Sequence, residues 1–195
     1  MSSKSYPLRI PRYASGIRAQ LVRSGSSRNW WHSKWLETVE PMGFGGRFAR
    51  GRNYAISGQV VDFDILGACV SASVIGVRPE PYKVTLSFSQ LAEDVRKRIV
   101  AKLRSEPMIL ARLLTGELPL HVERIFREEN VPLFPAGKIS PGKYDVTITC
   151  SCPDWVNPCK HSSAVLVILG EEISRRPLTL LELRGIKEEE LFDEA

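Results

Sequence analysis

Three cysteines and one histidine lie close together near the C-terminal end of the chain, in the stretch CSCPDWVNPCKH. They are Cys150, Cys152, Cys159 and His161, and their spacing is C-x-C-x6-C-x-H. Three of the four cysteines and one of the three histidines therefore fall within twelve residues. Structural zinc is held by four such ligands in a tetrahedron, and three Cys with one His is a common set. The spacing predicts one Zn²⁺ bound by these side chains.

Two other interpretations of this cluster remain open from the sequence. The thiols could be small buried side chains beside a core histidine, or they could form disulfides. The N-terminal stretch MSSKSYPLRIPRY lacks the apolar core of a signal peptide, which predicts a cytoplasmic protein. No apolar run reaches the roughly 18 residues of a membrane span, so no membrane partner is expected. In a reducing compartment a cysteine cluster is more often a metal site than a disulfide.

The predicted metal site argues against an enzyme. A catalytic zinc keeps one coordination position open for water, whereas four protein ligands fill the shell. Asp62 and Asp64 alternate along a predicted strand, and such carboxylates usually form its solvent-exposed face. Cys69 falls at a predicted turn and is expected to be a free thiol. We therefore expect a binding protein without catalytic residues.

Positive charge is concentrated in the N-terminal third of the chain. Residues 1–60 contain ten Lys and Arg against two acidic residues, a balance of +8. Residues 61–195 contain seventeen against twenty, a balance of −3, and the two balances sum to the net charge of +5. This asymmetry predicts an anionic partner, and nucleic acid, either RNA or DNA, is the leading candidate.

Two arginine-rich stretches are the predicted contact sites. Residues 1–28 are predicted to form a basic extended arm along a phosphate backbone, with a disordered solubilising tail as the alternative. In GRFARGRNYA, arginines interleaved with Phe48 and Tyr54 suit phosphate and base contacts. The alternative is a helix that buries the two rings and leaves its arginines in water. The candidate nucleic-acid contacts are Arg9, Arg12, Arg18, Arg23, Arg28, Arg47, Arg50 and Arg52.

The tryptophan-rich stretch NWWHSKWLETVEPMGF predicts a short helix that ends before Pro41. Trp31 and Trp35 are four residues apart and are more suited to core anchors than to base stacking. His32, beside them, is expected at the surface or at the edge of the core. The helix is therefore predicted to pack its aromatic side inward.

The remaining pattern predicts an α+β fold. Alternating stretches before residue 88 predict a small antiparallel β-meander, and helical spacing covers 89–130. YDVTIT then predicts a strand that runs into Cys150, followed by a helix, and the helical segment is expected to join the meander to this zinc unit. The predicted segments are the arm (1–28), a Trp/Arg-rich segment with the meander (29–88), a helical segment (89–135), a zinc finger unit (136–186) and an acidic tail (187–195).

The motif C-x-C-x6-C-x-H resembles the SWIM zinc finger. The resemblance extends over most of the chain, because further phrases resemble those of prokaryotic SWIM zinc finger proteins in the same order. They are GRFARGRNYAISGQV (46–60), GVRPEPYKV (76–84), LLTGELP (113–119), LFP (133–135) and PLTLLELRG (177–185). The resemblance implies nucleic-acid binding and protein partners such as helicases and recombination factors.

Two functions are therefore predicted from the sequence. The first is a zinc-binding protein that contacts RNA or DNA through its basic third. Ribosomal proteins also use an extended basic arm on a compact domain to engage rRNA, so a ribosome-associated role is one form of this prediction. The second is an adaptor whose zinc unit docks on a helicase or recombination partner.

Overall fold

The computed structural model describes residues 10–21, 29–43, 46–135 and 145–192. The helices are α1 (Trp30–Val39), a short 3₁₀ helix (Glu40–Met42), α2 (Arg47–Ile56), α3 (Glu93–Arg104), α4 (Pro107–Leu114), α5 (Leu120–Glu128), α6 (Lys160–Arg175), α7 (Leu178–Leu183) and α8 (Glu188–Phe192). The strands are β1 (Val60–Leu66), β2 (Cys69–Val74), β3 (Tyr82–Phe88) and β4 (Val146–Cys150). The predicted α+β class is confirmed, and so is the helical character of the middle segment.

The four strands form one antiparallel sheet in the order β1-β2-β3-β4. The predicted meander corresponds to β1–β3, and Asp62 and Asp64 lie on its exposed side, as expected. β4 pairs directly with β3, with Val84 opposite Cys150. The sequence predicted helices between the meander and the zinc unit but not this pairing. Alternation shows that a segment is a strand, but it does not identify a partner that is distant in sequence.

Strand alternation places one face of the sheet in the core. On β3 the buried side chains are Tyr82, Val84, Leu86 and Phe88, and the residues between them are more exposed. The turn predicted around Cys69 is formed by Gly67 and Ala68, so that Cys69 itself begins β2. Cys69 is exposed and its thiol is free, as predicted.

α6 is the central helix of the fold. It has 16 residues, and most of them are buried, including the whole run 164–169. Two glycines allow its neighbours to approach closely. A Cβ on Gly51 of α2 would lie 2.4 Å from the Cβ of Ser163, and a Cβ on Gly170 would lie 2.7 Å from Cδ1 of Trp35. Within the described ranges, no helix combines the length and the apolar character needed to cross a membrane.

The tryptophans of α1 anchor it to α6. Trp31 and Trp35 are buried, which confirms their prediction as core residues. Their indole nitrogens also find acceptors on the central helix. Nε1 of Trp35 donates to the carbonyl of Leu166 at 3.0 Å, and Nε1 of Trp31 donates to that of Ile173 at 3.1 Å. Each ring therefore buries its apolar surface and satisfies its polar atom, which is the usual condition for a core tryptophan.

The described part of the N-terminal arm, residues 10–21, lies along the body of the protein. Its backbone is tied to the body by amide donors that are spread along its length. These bonds are Arg12 N to Gly76 O (2.9 Å), Gly16 N to Gly58 O (2.9 Å), Ile17 N to Val60 O (2.8 Å), Ala19 N to Ala55 O (3.1 Å) and Leu21 N to the Glu171 carboxylate (2.7 Å). Ala14, Ala19 and Leu21 are buried. Residues 10–21 are therefore an anchored arm, held to the body by their backbone.

The prediction for His32 was wrong. The side chain is only 1% exposed, and neither ring nitrogen has a hydrogen-bond partner among the described residues. Its position between two buried tryptophans on α1, opposite Gly170, carries it into the core. Burial lowers the pKa of His32, while the nearby Glu171 carboxylate acts in the opposite direction. The imidazole is therefore held in its neutral form.

We expect this buried histidine to make the protein less stable in acid. The pKa of His32 is lower in the folded than in the unfolded chain, so the unfolded chain binds more protons between the two values. The free energy of unfolding keeps its full value at pH values above about 6.5, the pKa in the unfolded chain. It decreases as the pH is lowered from there, by at most about 1.4 kcal/mol per pH unit. Urea unfolding at several pH values measures this slope.

In a His32→Leu variant, the free energy of unfolding should decrease less steeply with falling pH, because leucine does not titrate. His121→Gln serves as the matched control, since His121 is a half-buried histidine beside Arg124 on α5. An acid slope that is the same in the parent and in His32→Leu would contradict the prediction.

Candidate metal centre

The four predicted zinc ligands come from the end of one strand and the beginning of one helix. Cys150 is the last residue of β4, and Cys152 follows in the turn after it. Cys159 is the N-cap residue of α6, and His161 lies in the first turn of that helix. The loop 153–158 joins the two pairs. The extended strand and the helix start therefore each present two ligands separated by one residue.

The ligand atoms converge as a metal site requires. All four lie within 4.8 Å of one another. Nδ1 of His161 is 3.9 Å from Sγ of Cys150 and 3.8 Å from Sγ of Cys159. A tetrahedral zinc with Zn–S of about 2.3 Å and Zn–N of about 2.0–2.1 Å separates its ligand atoms by about 3.6–3.8 Å. The Cys3His cluster is therefore positioned to bind a metal ion, and its donor set is that of structural Zn²⁺.

Aromatic rings fix the orientation of the His161 imidazole. The ring of Tyr82 stacks on it with the centroids 4.3 Å apart, and the ring of Tyr54 meets it edge-on at 5.5 Å. Among the described residues, Nε2 has no hydrogen-bond partner. Metal-bound histidines are usually oriented by a hydrogen bond from the second nitrogen. In this site, packing between a strand and a helix takes that role and directs Nδ1 toward the sulfurs.

The three thiols of the cluster differ in acidity. The pKa of Cys159 is lowered to about 3, because the thiol of Cys150 donates a hydrogen bond to its thiolate, with further help from His161 and Ser162. The pKa of Cys150 is raised, because that hydrogen bond and burial both favour its protonated form. Burial raises the pKa of Cys152 as well. Zn²⁺ binding therefore has to displace the protons of Cys150 and Cys152, whereas Cys159 is already favoured as a thiolate.

The loop between the ligand pairs is fixed by an ion pair with α2. Asp154 accepts hydrogen bonds from Nε and Nη2 of Arg47 at 3.1 and 3.2 Å. These bonds lower the pKa of Asp154, and Arg50 adds a smaller effect in the same direction. Asp154 also accepts from the backbone amide of Val156, and the side chain of Asn157 donates to the carbonyl of Ile148. The loop is therefore held at the metal ligands and also between them.

The candidate nucleic-acid contacts are distributed over two surfaces. Arg12 and Arg18 are exposed on the anchored arm. Arg47, Arg50 and Arg52 project from α2, where Phe48 and Tyr54 are buried, as the alternative interpretation of this stretch predicted. The remaining candidates Arg9, Arg23 and Arg28 lie outside the described residues. Contact of any of these arginines with nucleic acid stays a prediction.

Arg47 and Arg52 on α2 have carboxylate partners. Arg47 is paired with Asp154, and Arg52 is paired with Glu40 at 2.8 Å while its guanidinium lies 5.8 Å from the ring centroid of Phe48. Both therefore contribute to the protein's own structure. Arg50 is more exposed than either of them.

The sequence analysis missed two residues that shape this site, namely Tyr82 and Asp154. The aspartate lies inside the ligand motif, between prolines 153 and 158. That position was a usable signal. Tyr82 offered no such signal, since its contact with His161 depends on pairing between distant strands.

Comparison with known proteins identifies relatives of the chain. The sequence model of the SWIM zinc finger family matches residues 142–170. The uncharacterized protein Rv2102 of Mycobacterium tuberculosis is 32% identical over 194 residues, which cover 98% of this chain and 68% of the relative. No solved structure gave a significant match.

We expect one equivalent of zinc in the purified protein and its loss in a Cys152→Ser variant. A serine hydroxyl is a poor zinc ligand, and metal binding to such a site is coupled to folding. The variant should also unfold at a lower temperature. Elemental analysis of protein prepared without chelators, followed by thermal unfolding, measures both effects.

Cys69→Ser is the matched control, because Cys69 is an exposed free thiol on β2 and lies outside the ligand cluster. It should keep one equivalent of zinc and the parental unfolding temperature. Unchanged metal content in Cys152→Ser would contradict the assignment.

Proposed function

We propose that the chain, which belongs to the SWIM zinc finger family and is related to the uncharacterized protein Rv2102 of Mycobacterium tuberculosis, binds nucleic acid. The Cys3His centre stabilises the body of the protein, and the basic N-terminal third contacts the phosphate backbone of RNA or DNA. Binding of ribosomal RNA is one form of this function. The observation that carries the proposal is the arrangement of the anchored arm.

The anchored arm presents charged and aromatic side chains while its backbone faces the body. Arg12, Tyr13 and Arg18 are exposed, and Tyr13 is 86% exposed. Guanidinium groups make bidentate contacts with phosphate, and a tyrosine ring can stack on a base or sugar. Because residues 10–21 are already ordered by the body, binding would cost less conformational entropy than the folding of a loose tail.

Two basic residues of α3 are balanced by acids. On α3, Arg98 pairs with Asp94 at 3.0 Å and with Glu129 at 2.7 Å. Lys102 pairs with Glu128 and with Glu129 at 3.1 and 2.8 Å. These carboxylates would repel a phosphate backbone. The arm and α2 are therefore better candidates for the binding surface than the basic side chains of α3.

A protein-adaptor function is the second candidate. Met108, Leu114 and Leu120 are large apolar side chains, and all three are exposed on α4 and α5. Exposed apolar groups of this kind suit contact with a protein such as a helicase or recombination factor. Salt separates the two functions, because nucleic-acid affinity falls steeply with salt concentration and an apolar interface does not.

The salt dependence of binding tests the proposal directly. Each phosphate contact contributes about 0.9 to the slope of log affinity against log salt on duplex DNA, and about 0.7 on single strands. An Arg12→Ala/Arg18→Ala variant should therefore lower the magnitude of the slope by about 1.4 to 1.8 if both residues contact phosphate. Fluorescence anisotropy with labelled RNA and DNA at several salt concentrations measures the slope.

A Lys97→Ala/Arg112→Ala variant is the matched control. It removes the same formal charge, but from side chains that are already paired. Lys97 pairs with Glu93 on α3, and Arg112 on α4 pairs with Glu117. Its slope should equal that of the parent. If the arm variant binds both nucleic acids as the parent does at every salt concentration, the adaptor function becomes the better explanation.

A further inference from the structure

Trp155 lies in the loop between the two ligand pairs, and its side chain is 91% exposed. No other large hydrophobic residue in the described ranges is more exposed. The remaining tryptophans of the chain are all on α1, where they are buried or half-buried: Trp30, Trp31 and Trp35. An indole offers more apolar area than almost any other side chain, and tryptophan is typically found in cores or at interfaces. The strong exposure of Trp155 therefore suggests that the indole binds a ligand.

The exposure of Trp155 does not come from a loosely held loop. Cys152 and Cys159 bracket the loop as metal ligands. Next to the tryptophan, Asp154 is tied to Arg47 by two hydrogen bonds and to the amide of Val156 by a third. The indole is therefore held outward by a backbone fixed on both sides. A binding residue that is ordered in advance loses little entropy when its ligand arrives.

Basic residues lie on the elements next to the loop. Arg50 on α2 is close enough to Asp154 to help lower the pKa of its carboxyl. Lys83 on β3 is exposed, and its backbone exchanges hydrogen bonds with Ser151 at the base of the loop. Lys160 follows the ligand Cys159, with its Nζ 5.3 Å from the ring centroid of Tyr54. Arg50, Lys83 and Lys160 thus each lie on an element that adjoins the loop.

We propose that Trp155 is the stacking platform of a single-stranded nucleic-acid site, where an unpaired base lies on the indole and adjoining phosphates contact Arg50, Lys83 and Lys160. This inference rests on the proposed nucleic-acid function and specifies that the ligand is single-stranded. Every base has a flat face that can stack on an aromatic ring, and a basic groove beside the ring follows the backbone. In a duplex those faces are covered by neighbouring base pairs, so duplex cannot use the platform without unstacking.

The surroundings of Trp155 favour a nucleic acid over a protein at this position. A protein interface is built around a contiguous apolar area. The exposed residues beside the indole in the loop are Pro153, Asp154 and Asn157, of which only the proline is apolar. One flat ring next to polar and basic residues is complementary to a base attached to phosphates.

Substitution of Trp155 tests the platform with defined probes. The probes are 12-nucleotide oligo(U) and oligo(dT), and a duplex of the same length. Trp155→Ala should weaken single-strand binding by about 5- to 150-fold, the loss expected for one stacked base. Trp155→Phe should restore most of the affinity, because phenylalanine also stacks. Duplex affinity should stay within about threefold of the parent.

Leu66→Ala is the matched control, because Leu66 is also a large apolar side chain exposed in the described region, at the end of β1. It should leave single-strand binding unchanged. Tryptophan fluorescence gives a second readout, since stacking on Trp155 should quench emission in the parent and not in Trp155→Phe. A preference for oligo(U) or for oligo(dT) in the parent supports the site and identifies the polymer.

The outcomes separate this inference from the function on which it rests. If Trp155→Ala binds single strands as tightly as the parent while Arg12→Ala/Arg18→Ala has lost affinity, the platform is wrong and the nucleic-acid function stands. If the parent binds neither single strands nor duplex, both are wrong. If Trp155→Ala loses only a co-purifying protein, the loop is a protein contact and the platform is again wrong.

Discussion

The convergence of four ligands between the end of β4 and the start of α6 is the constraint on which the fold depends. β4 is an edge strand of the sheet, and α6 is the buried helix around which α1 and α2 pack. A metal ion bound by Cys150, Cys152, Cys159 and His161 fixes the distance and angle between these two elements. Because α6 is buried along most of its length, a shift of its first turn would disturb contacts with both helices.

The metal centre in turn depends on the elements that surround it. His161 is oriented by Tyr82 from β3 and by Tyr54 from α2, so that its ligand atom is correctly directed only when the sheet and that helix are in place. The approach of α2 itself requires Gly51, because a side chain there would collide with Ser163 on α6. Metal binding and tertiary packing therefore reinforce each other, as is usual when a site does not exist in the unfolded chain.

Much of this architecture could be predicted from the sequence, because its signals are local. The four ligands lie within one short stretch, and the period of the apolar residues distinguishes the strands of the meander from the helices of residues 89–130. The burial of Trp31 and Trp35 also follows from their size and their spacing on one helix. In each case the decisive residues are near one another in the chain.

The features that escaped prediction depend on contacts between distant residues. The pairing of β4 with β3 joins segments about sixty residues apart, and alternation does not encode it. His32 is buried because it lies on the side of α1 that faces Gly170 of another helix. The arm is anchored because Ala19 finds the carbonyl of Ala55 and Leu21 finds the buried carboxylate of Glu171. None of these partners can be identified from a single sequence pattern.

The structure also changes what the positive charge of the N-terminal third means. A count of +8 treats all ten basic residues alike, yet Arg47 and Arg52 have carboxylate partners. The anchored arm contacts the C-terminal end of α2, where Ala19 donates to the carbonyl of Ala55. The loop 153–158, here called the finger loop, contacts the first residue of α2, where Asp154 pairs with Arg47. A ten-residue helix is about 15 Å long, so the two surfaces lie near opposite ends of one short element. That separation is within the length of a single-strand site of about 4 to 16 nucleotides. One strand could therefore contact the arm and the finger loop together, and the metal centre would keep α2 in the position that makes this geometry available.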